Sequence, residues 1–231
     1  MIRKLIVRYL EHPLTQVTLE LLLKAYAFGM FPMAKSRTER DLDWVQPKER
    51  GIIPLDRFHV PRSLRKVLRQ GIFKVRTDSA FGAVIKGCAD SGPNREDTWI
   101  NDKIIELFTQ LFDAGLAHSV ETWIDDELVG GLYGLAMGSV FFGESMFTRR
   151  DNASKVALCH LVAIMKEGGY RLLDTQFITD HLEQFGAVAI DHKAYMKELG
   201  NALGHPGRFG HPLPYSEIER LLFSQSRTHT S

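Results

Sequence analysis

Two carboxylates and one amide stand out because they lie within otherwise apolar segments. Asp174 and Gln176 are two residues apart in a run that begins with Leu172-Leu173, and Glu144 ends a run that begins with Val140-Phe141-Phe142. Side chains two apart on a strand point to the same face of a sheet. Buried groups of this kind need hydrogen-bond partners, from the protein or from a substrate. The Asp174/Gln176 pair could manage a substrate proton or only brace the sheet, and these residues alone leave both interpretations open.

The segments around these residues predict a three-stranded antiparallel meander followed by alternating helices and strands. Glycines recur within the meander and indicate bulges or close backbone approaches. The predicted strands cover 118–124, 128–135, 139–144, 171–176 and 187–190, and the predicted helices cover 153–166, 180–184 and 192–201. The pattern indicates a mixed α/β (α+β) protein, with a glycine-, proline- and histidine-rich tail after residue 204.

The first part of the chain is mainly helical in its pattern. Helices are predicted over 18–28, 61–70, 80–89 and 102–114, with a strand over 73–77. Met30-Phe31-Pro32-Met33 is expected to form an apolar turn, and the charged stretch 35–50 a loop or short hairpin around Trp44. This stretch is the best candidate boundary, so we expect a small N-terminal domain over 1–50 and a larger domain over 51–231.

Four cations recur at helical spacing along the segment 61–70. They share one helix face, and no acidic residue lies between the first of them and Arg76; they are Arg62, Arg65, Lys66 and Arg69. Such a face is most often simply solvated. It is also the arrangement that binds RNA phosphates.

Composition excludes several classes. The 231 residues carry a formal net charge of +1, so a nucleic-acid contact must come from a local patch. Cys88 and Cys159 are far apart in apolar helical patterns, which indicates free buried thiols and no metal site. The start, Met1–Arg8, lacks the length of a signal sequence, and no run approaches the ~18 apolar residues of a membrane span. We therefore expect a cytoplasmic protein.

Several short motifs occur together and in order between about Leu19 and Leu199. They are Gly29-Met30-Phe31-Pro32, Thr98-Trp99-Ile100, Ala117-His118-Ser119-Val120-Glu121, Leu128-Val129-Gly130-Gly131-Leu132-Tyr133-Gly134, Gly143-Glu144-Ser145-Met146-Phe147, Asn152-Ala153-Ser154-Lys155 and Asp174-Thr175-Gln176. Each motif alone is weak, but the ordered set resembles the bacterial leucyl/phenylalanyl-tRNA–protein transferases.

The resemblance implies a small N-terminal domain and an acetyltransferase-like (GNAT-type) catalytic domain with a largely antiparallel mixed sheet. It implies transfer of leucine, phenylalanine or methionine from aminoacyl-tRNA to proteins beginning with Arg or Lys, which marks them for degradation. It also implies a monomer that needs no cofactor and no membrane.

The resemblance also assigns roles to residues. Asp174 and Gln176 would be the catalytic pair, with Glu144 near the pocket mouth or at the amine. Met33 stands where the family commonly has a tryptophan that helps hold the terminal adenosine. The other assigned substrate-binding residues are Trp99, Phe108, Leu132, Phe141, Leu158, Leu161 and Met165, and the tRNA-binding residues are Arg62, Arg65, Lys66 and Arg69.

Three alternatives remain open at this point. A coenzyme A-dependent acetyltransferase would carry a glycine-containing pyrophosphate loop, but residues 149–154 contain no glycine. A related leucyltransferase would act on N-terminal Asp or Glu. An RNA-binding module would not need the Asp174/Gln176 pair. Within the transferase interpretation, the proton could also be shuttled by a hydroxyl of the tRNA itself.

Overall fold

A computed structural model describes residues 17–39, 41–90 and 98–223. The strands are β1 Phe31–Ala34, β2 Leu42–Val45, β3 Glu49–Ile53, β4 Lys74–Thr77, β5 Ala117–Ile124, β6 Glu127–Met137, β7 Val140–Thr148, β8 Leu172–Gln176 and β9 Val188–Asp191. The helices are α1 Leu19–Ala27, α2 Arg62–Gln70, α3 Phe81–Ala89, α4 Asp102–Asp113, α5 Ala153–Glu167, α6 Asp180–Glu183, α7 His192–Leu203 and α8 Tyr215–Phe223, with a 3₁₀ turn over Leu55–Arg57.

A seven-stranded mixed sheet, in the order β4-β5-β6-β7-β8-β3-β9, organises the chain. The pairs β4-β5, β5-β6 and β6-β7 are antiparallel, as are β8-β3 and β3-β9, whereas β7 and β8 are parallel. The predicted meander and the mixed α/β class are therefore confirmed. Strand β3, which lies between β8 and the edge strand β9, was not predicted, because residues 49–53 begin with charged residues that indicate a loop.

The parallel pair β7-β8 is short and then diverges. Pairing runs only from Val140 opposite Leu172 to Phe142 opposite Asp174. Strand β7 continues to Thr148 beside β6, while β8 ends at Gln176. The two strands therefore enclose a gap, and both Glu144 and Gln176 lie beyond the last paired residues.

Helices cover both faces of the sheet and form two main core clusters. Tyr133, on one face of β6, belongs to the cluster that contains α1, α3, α4 and α7, and its neighbour Leu132 belongs to the cluster that contains α5. Cys88 and Cys159 are buried and free, as predicted. Helix α1 shares the first cluster, because the ring of Tyr26 packs edge-on against Phe142 with centroids 4.9 Å apart. The domain division at residue 50 stays a prediction.

The N-terminal segment forms a hairpin instead of the expected apolar turn over residues 30–33. In the two-stranded sheet of β1 and β2, Pro32 lies opposite Trp44. Proline is tolerated there because β1 has a neighbour on one side only. The stretch 35–50, expected as a loop or short hairpin around Trp44, instead contributes β2, which pairs with β1, and the first residues of β3.

Some predictions fall on residues 1–16 and 91–97, outside the described part of the chain. They concern the segment Met1–Arg8 and most of the loop over 90–97. Within the described ranges, no helix combines the length and apolar character that a membrane crossing requires.

Candidate active site

A cavity of about 490 Å³ opens where β7 and β8 diverge. Four leucines, Leu132, Leu158, Leu161 and Leu173, contribute to its wall and are all buried. The wall also includes Phe31, Met33, Trp99, Tyr133, Gly143, Glu144, Ser145, Met146, Phe147, Thr148, Ser154, Thr175, Gln176, Phe177, Thr179, His181 and Leu182. An apolar cavity with few polar groups is typical of a small-molecule or acyl-group site.

Gln176 has a strained backbone at the edge of this cavity. Its φ is 58°, and the N–H of Phe177 donates a 2.6 Å hydrogen bond to the carbonyl of Thr175. A bond between residues i and i+2 around a positive φ is the rare form of γ-turn. The side-chain nitrogen Nε2 of Gln176 is buried and has no hydrogen-bond partner within the described ranges. Strain of this kind concentrates at functional sites.

Asp174 lies behind Gln176 and is fully buried. Its Oδ1 accepts a 2.8 Å bond from the backbone N–H of Gln176 and a 2.9 Å bond from Nε of Arg50. Its Oδ2 accepts a 2.8 Å bond from Nη2 of Arg50 and a 2.6 Å bond from the hydroxyl of Tyr195. Asp174 therefore contacts the backbone of Gln176 and is not part of the cavity wall.

Arg50 is only 1% exposed, and it connects three parts of the molecule. Besides its bonds to Asp174, its Nη1 donates to the carbonyl of Gly29 at 3.1 Å. Its guanidinium also lies over the rings of Phe31 and Tyr195, 4.6 Å and 4.7 Å from their centroids. Burial opposes its charge, but the neighbouring carboxylate of Asp174 outweighs burial and raises the pKa of Arg50.

Glu144 forms a buried polar wall of the cavity. Its Oε1 accepts a 2.8 Å bond from the hydroxyl of Tyr26. Burial, opposed by this hydrogen bond, raises the pKa of Glu144 to about 8. The hydroxyl of the adjacent Tyr133 is buried without a hydrogen-bond partner among the described residues. Below pH 8, Glu144 is therefore mostly a neutral acid, and its carboxyl group is a buried part of the wall.

His181 is a second titratable residue of the wall. Burial, and then the nearby charge of Lys155, lower its pKa. Its Nε2 is buried and finds no hydrogen-bond partner in the described part of the chain. The ring is therefore neutral at pH 7.

The structure brings together most of the predicted substrate-binding residues. The cavity wall includes Met33, Trp99, Leu132, Glu144, Leu158, Leu161 and Gln176. Phe108 is buried behind the wall, with its ring 5.3 Å from that of Tyr133. Phe141 and Met165 are also fully buried in the core outside the wall. Phe108 therefore packs against a wall residue, whereas Phe141 and Met165 share a core cluster with the wall leucines.

The four predicted tRNA-binding cations lie on α2, as expected, but they are not equivalent. Arg62, Lys66 and Arg69 are exposed. Arg65 instead donates a 2.9 Å bond to the carbonyl of Val60 and lies over the ring of Phe223, 4.8 Å from its centroid. Three of the four cations on α2 are therefore exposed.

Sequence reasoning missed Arg50, Tyr195 and Phe177. Arg50 lies in a charged stretch that resembles a loop, and Tyr195 lies on an ordinary amphipathic helix, so neither had a local signal. Phe177 is 45% exposed at the cavity, next to Gln176, and its ring packs edge-on against Phe31 at 5.6 Å. Its position directly after the Asp174-Thr175-Gln176 motif was the available signal.

Comparison with known proteins gives consistent matches over most of the chain. The profile described as leucyl/phenylalanyl-tRNA protein transferase matches residues 52–200, and that of its N-terminal domain matches residues 15–48. Proteins named leucyl/phenylalanyl-tRNA–protein transferase are similar to it in Paramagnetospirillum magneticum (58% identity over 84% of this chain and 92% of the relative) and Rhodospirillum rubrum (60% over 86% and 93%). A third, from Maricaulis maris, is 54% identical over 92% of this chain and 97% of the relative.

Solved structures are more distant. L-PGS from Bacillus licheniformis matches with a TM-score of 0.40 and 15% identity, covering 71% of this chain and 55% of that one.

The sequence matches define an aminoacyltransferase. The chain belongs to the leucyl/phenylalanyl-tRNA–protein transferase family.

Proposed function

We propose that this protein transfers leucine, and also phenylalanine and methionine, from aminoacyl-tRNA to the N-terminal α-amine of proteins that begin with Arg or Lys. The tagged proteins would then be degraded, and the reaction would take place in the cytoplasm on a monomeric enzyme. The observation that carries this proposal is the leucine-walled cavity with the amide of Gln176 at its edge, in a member of this family. We also propose that the β5–β9 core is GNAT-like, because two parallel strands diverge at the site.

The cavity suits the two ends of an aminoacyl ester. The apolar amino-acid side chain would enter the part lined by Leu132, Leu158 and Leu161, where apolar surface is removed from water. Its ester carbonyl would then lie beside Gln176, so the adenosine would lie on the side of Met33, Trp99 and Phe177. An exposed aromatic ring such as that of Phe177 offers a stacking surface for a base.

The reaction is aminolysis of an activated ester. The α-amine nitrogen bonds to the carbonyl carbon, the bond from this carbon to the ribose oxygen breaks, the amine loses a proton and the ribose oxygen gains one. No enzyme nucleophile is required, because the acceptor amine is itself the nucleophile. The enzyme contributes mainly by orienting two substrates, which supplies several kcal/mol of the barrier. The side-chain amide oxygen of Gln176 would accept a hydrogen bond from the attacking amine.

Glu144 is the side chain of the wall best suited to take the amine's proton, and it does so as a carboxylate, which is the minor form below pH 8. Its pKa of about 8 is close to the ordinary pKa of an α-amino group, so transfer between them is nearly balanced. Asp174 is less suited, since both of its oxygens already accept hydrogen bonds inside the protein. A hydroxyl of the tRNA could serve instead, and the Glu144→Gln variant separates the two routes.

The exposed cations of α2 would hold phosphates of the tRNA. Arg62, Lys66 and Arg69 are exposed, although the guanidinium of Arg69 also interacts with the hydroxyl of Tyr215, whereas Arg65 is held by Val60 and Phe223. Phosphate contacts of this kind position the nucleic acid without reading its sequence.

Transfer assays with defined donors and acceptors test the proposal. Leu-tRNA, Phe-tRNA, Met-tRNA and acetyl-CoA are each incubated with the protein and with peptides that begin with Arg, Lys, Asp or Glu. We expect leucine transfer to the Arg and Lys peptides. Transfer only to the Asp or Glu peptides would show that the acceptor specificity differs from the one proposed. Acetylation without aminoacyl transfer would refute the proposal.

A further inference from the structure

We infer that strand β3 positions Gln176 for the reaction, with Arg50 acting through Asp174 and Gly51 acting through direct backbone contact. Neither residue touches the substrate, so both are positioning residues. The inference rests on the proposed function, because it concerns how Gln176 is held at the cavity.

Arg50 and Asp174 fix the turn from one side. The backbone N–H of Gln176 donates to Oδ1 of Asp174 at 2.8 Å, so the carboxylate holds the backbone of the strained residue itself. Two nitrogens of Arg50 bond to the same carboxylate, at 2.9 Å and 2.8 Å. This planar fork restricts the orientation of the carboxylate more than a single charge would.

Gly51 fixes the turn from the other side. Gly51 lies opposite Gln176, and the next residue of β3, Ile52, lies opposite Asp174, so Thr175 is the extra residue of a bulge. A Cβ on Gly51 would lie 2.7 Å from both the carbonyl carbon and the carbonyl oxygen of Phe177. Only glycine therefore lets β3 approach the turn this closely.

The strain at Gln176 explains why such anchors are needed. A non-glycine residue with a positive φ persists only when surrounding contacts hold it there. If the carboxylate of Asp174 turned or Gly51 gained a side chain, the turn would relax. The amide of Gln176 would then leave its place at the cavity edge, and a misplacement of about 1 Å can cost on the order of 100-fold in rate.

The test compares removal of one charge with removal of the pair. Arg50→Met leaves the carboxylate of Asp174 buried without its cation, so this variant loses stability. Arg50→Met/Asp174→Leu removes both charges and should recover much of that stability, because a buried pair can be replaced by apolar side chains. The matched control, Lys24→Met/Glu20→Leu, removes an exposed pair.

Urea unfolding and the kcat and KM for leucine transfer are measured for each protein. We expect the Arg50/Asp174 double variant to show at least about a 10-fold lower kcat, with a KM for Leu-tRNA close to that of the parent. The exposed-pair control should match the parent in both constants. A stable Arg50/Asp174 double variant with the parental kcat would show that the pair serves stability alone, and would overturn the inference.

Gly51→Ala keeps the charge pair and perturbs only the turn around Gln176. This variant therefore tests the positioning role of β3 even if the double variant does not fold. We expect a reduced kcat with little change in KM, and a parental kcat would overturn the inference. If the parent protein itself transfers no amino acid, the proposed function fails. If the parent is active and the β3 variants are equally active, only the positioning role fails.

Discussion

The carboxylate of Asp174 accepts a 2.8 Å hydrogen bond from the backbone N–H of Gln176. The two residues predicted as a catalytic pair therefore lie at different depths, with Gln176 in the cavity wall and Asp174 behind it. In the proposed mechanism, the side chain of Gln176 therefore contacts the reacting atoms, and Asp174 holds the backbone of Gln176.

Gln176→Gly should abolish most leucine transfer while leaving the fold intact. Glycine adopts a positive φ without strain, so the turn is kept and only the amide is lost. We expect kcat to fall on the order of 100-fold, as for loss of a group that orients a reactant. The measurement is steady-state transfer from Leu-tRNA, with urea unfolding alongside. Gln70→Ala, which changes an exposed glutamine, is the control, and substantial activity in Gln176→Gly would contradict the proposed role.

Glu144→Gln should change how stability depends on pH. The pKa of Glu144 rises from its ordinary value of 4.5 to about 8 in the folded protein, so the folded state keeps a proton that the unfolded state releases between these values. Stability from this group is complete below pH 4.5 and is lost as pH rises toward 8. We expect the parent to lose up to about 1.4 kcal/mol per pH unit relative to Glu144→Gln. Urea unfolding at pH 5, 6.5 and 8 measures this, and parallel pH profiles would contradict it.

Leu161→Ala should shift donor preference toward phenylalanine. The substitution enlarges the apolar wall, and a change of a few methylenes in such a site alters discrimination by roughly 10-fold or more. Competition between Leu-tRNA and Phe-tRNA gives the ratio directly. Met165→Leu changes a fully buried side chain outside the wall and should leave the ratio unchanged. If the two variants have the same ratio of leucine to phenylalanine transfer, the amino-acid side chain of the donor does not contact Leu161.

Phe177→Ala should raise the KM for aminoacyl-tRNA several-fold. Its exposed ring is the proposed stacking surface for the terminal base, and loss of one such stack costs about 1–3 kcal/mol. Phe177→Trp should keep the KM near the parental value. Ile72→Ala is the matched control, because Ile72 is also a large exposed apolar residue, at 53%. An unchanged KM in Phe177→Ala would show that the ring of Phe177 does not stack on the terminal base of the donor tRNA.

Lys66→Gln should weaken tRNA binding in a salt-dependent way. Removing one phosphate contact lowers the slope of log K against log salt by about 1. Arg62→Gln should behave alike, while the exposed Lys197→Gln on α7 should not. Filter binding of Leu-tRNA between 50 and 200 mM salt, a range in which such contacts weaken strongly, provides the measurement. If Lys66→Gln and Lys197→Gln have the same slope of log K against log salt, the cations of α2 do not contact the tRNA phosphates.

Local patterns predicted the meander, helix α5 and the position of Gln176 well, because alternation and amphipathicity report burial directly. They missed β3, since Glu49 and Arg50 resemble a solvated turn, and only the distant Asp174 makes burial of Arg50 favourable. The resemblance to the family placed Phe141 and Met165 with the cavity-lining side chains, which the structure does not show. Both are buried, but a pattern of burial does not distinguish a cavity wall from the core behind it.

The burial of Arg50 and Asp174 also restricts how this protein can change. Replacing either residue alone by a neutral one leaves the other charge unpaired in the interior, which costs about 3–5 kcal/mol, a large part of the stability of an ordinary domain. The two positions lie 124 residues apart in sequence, yet a viable exchange at one requires a matching exchange at the other. In redesign and in evolution alike, a neutral substitution at Arg50 must therefore be accompanied by one at Asp174, and the reverse.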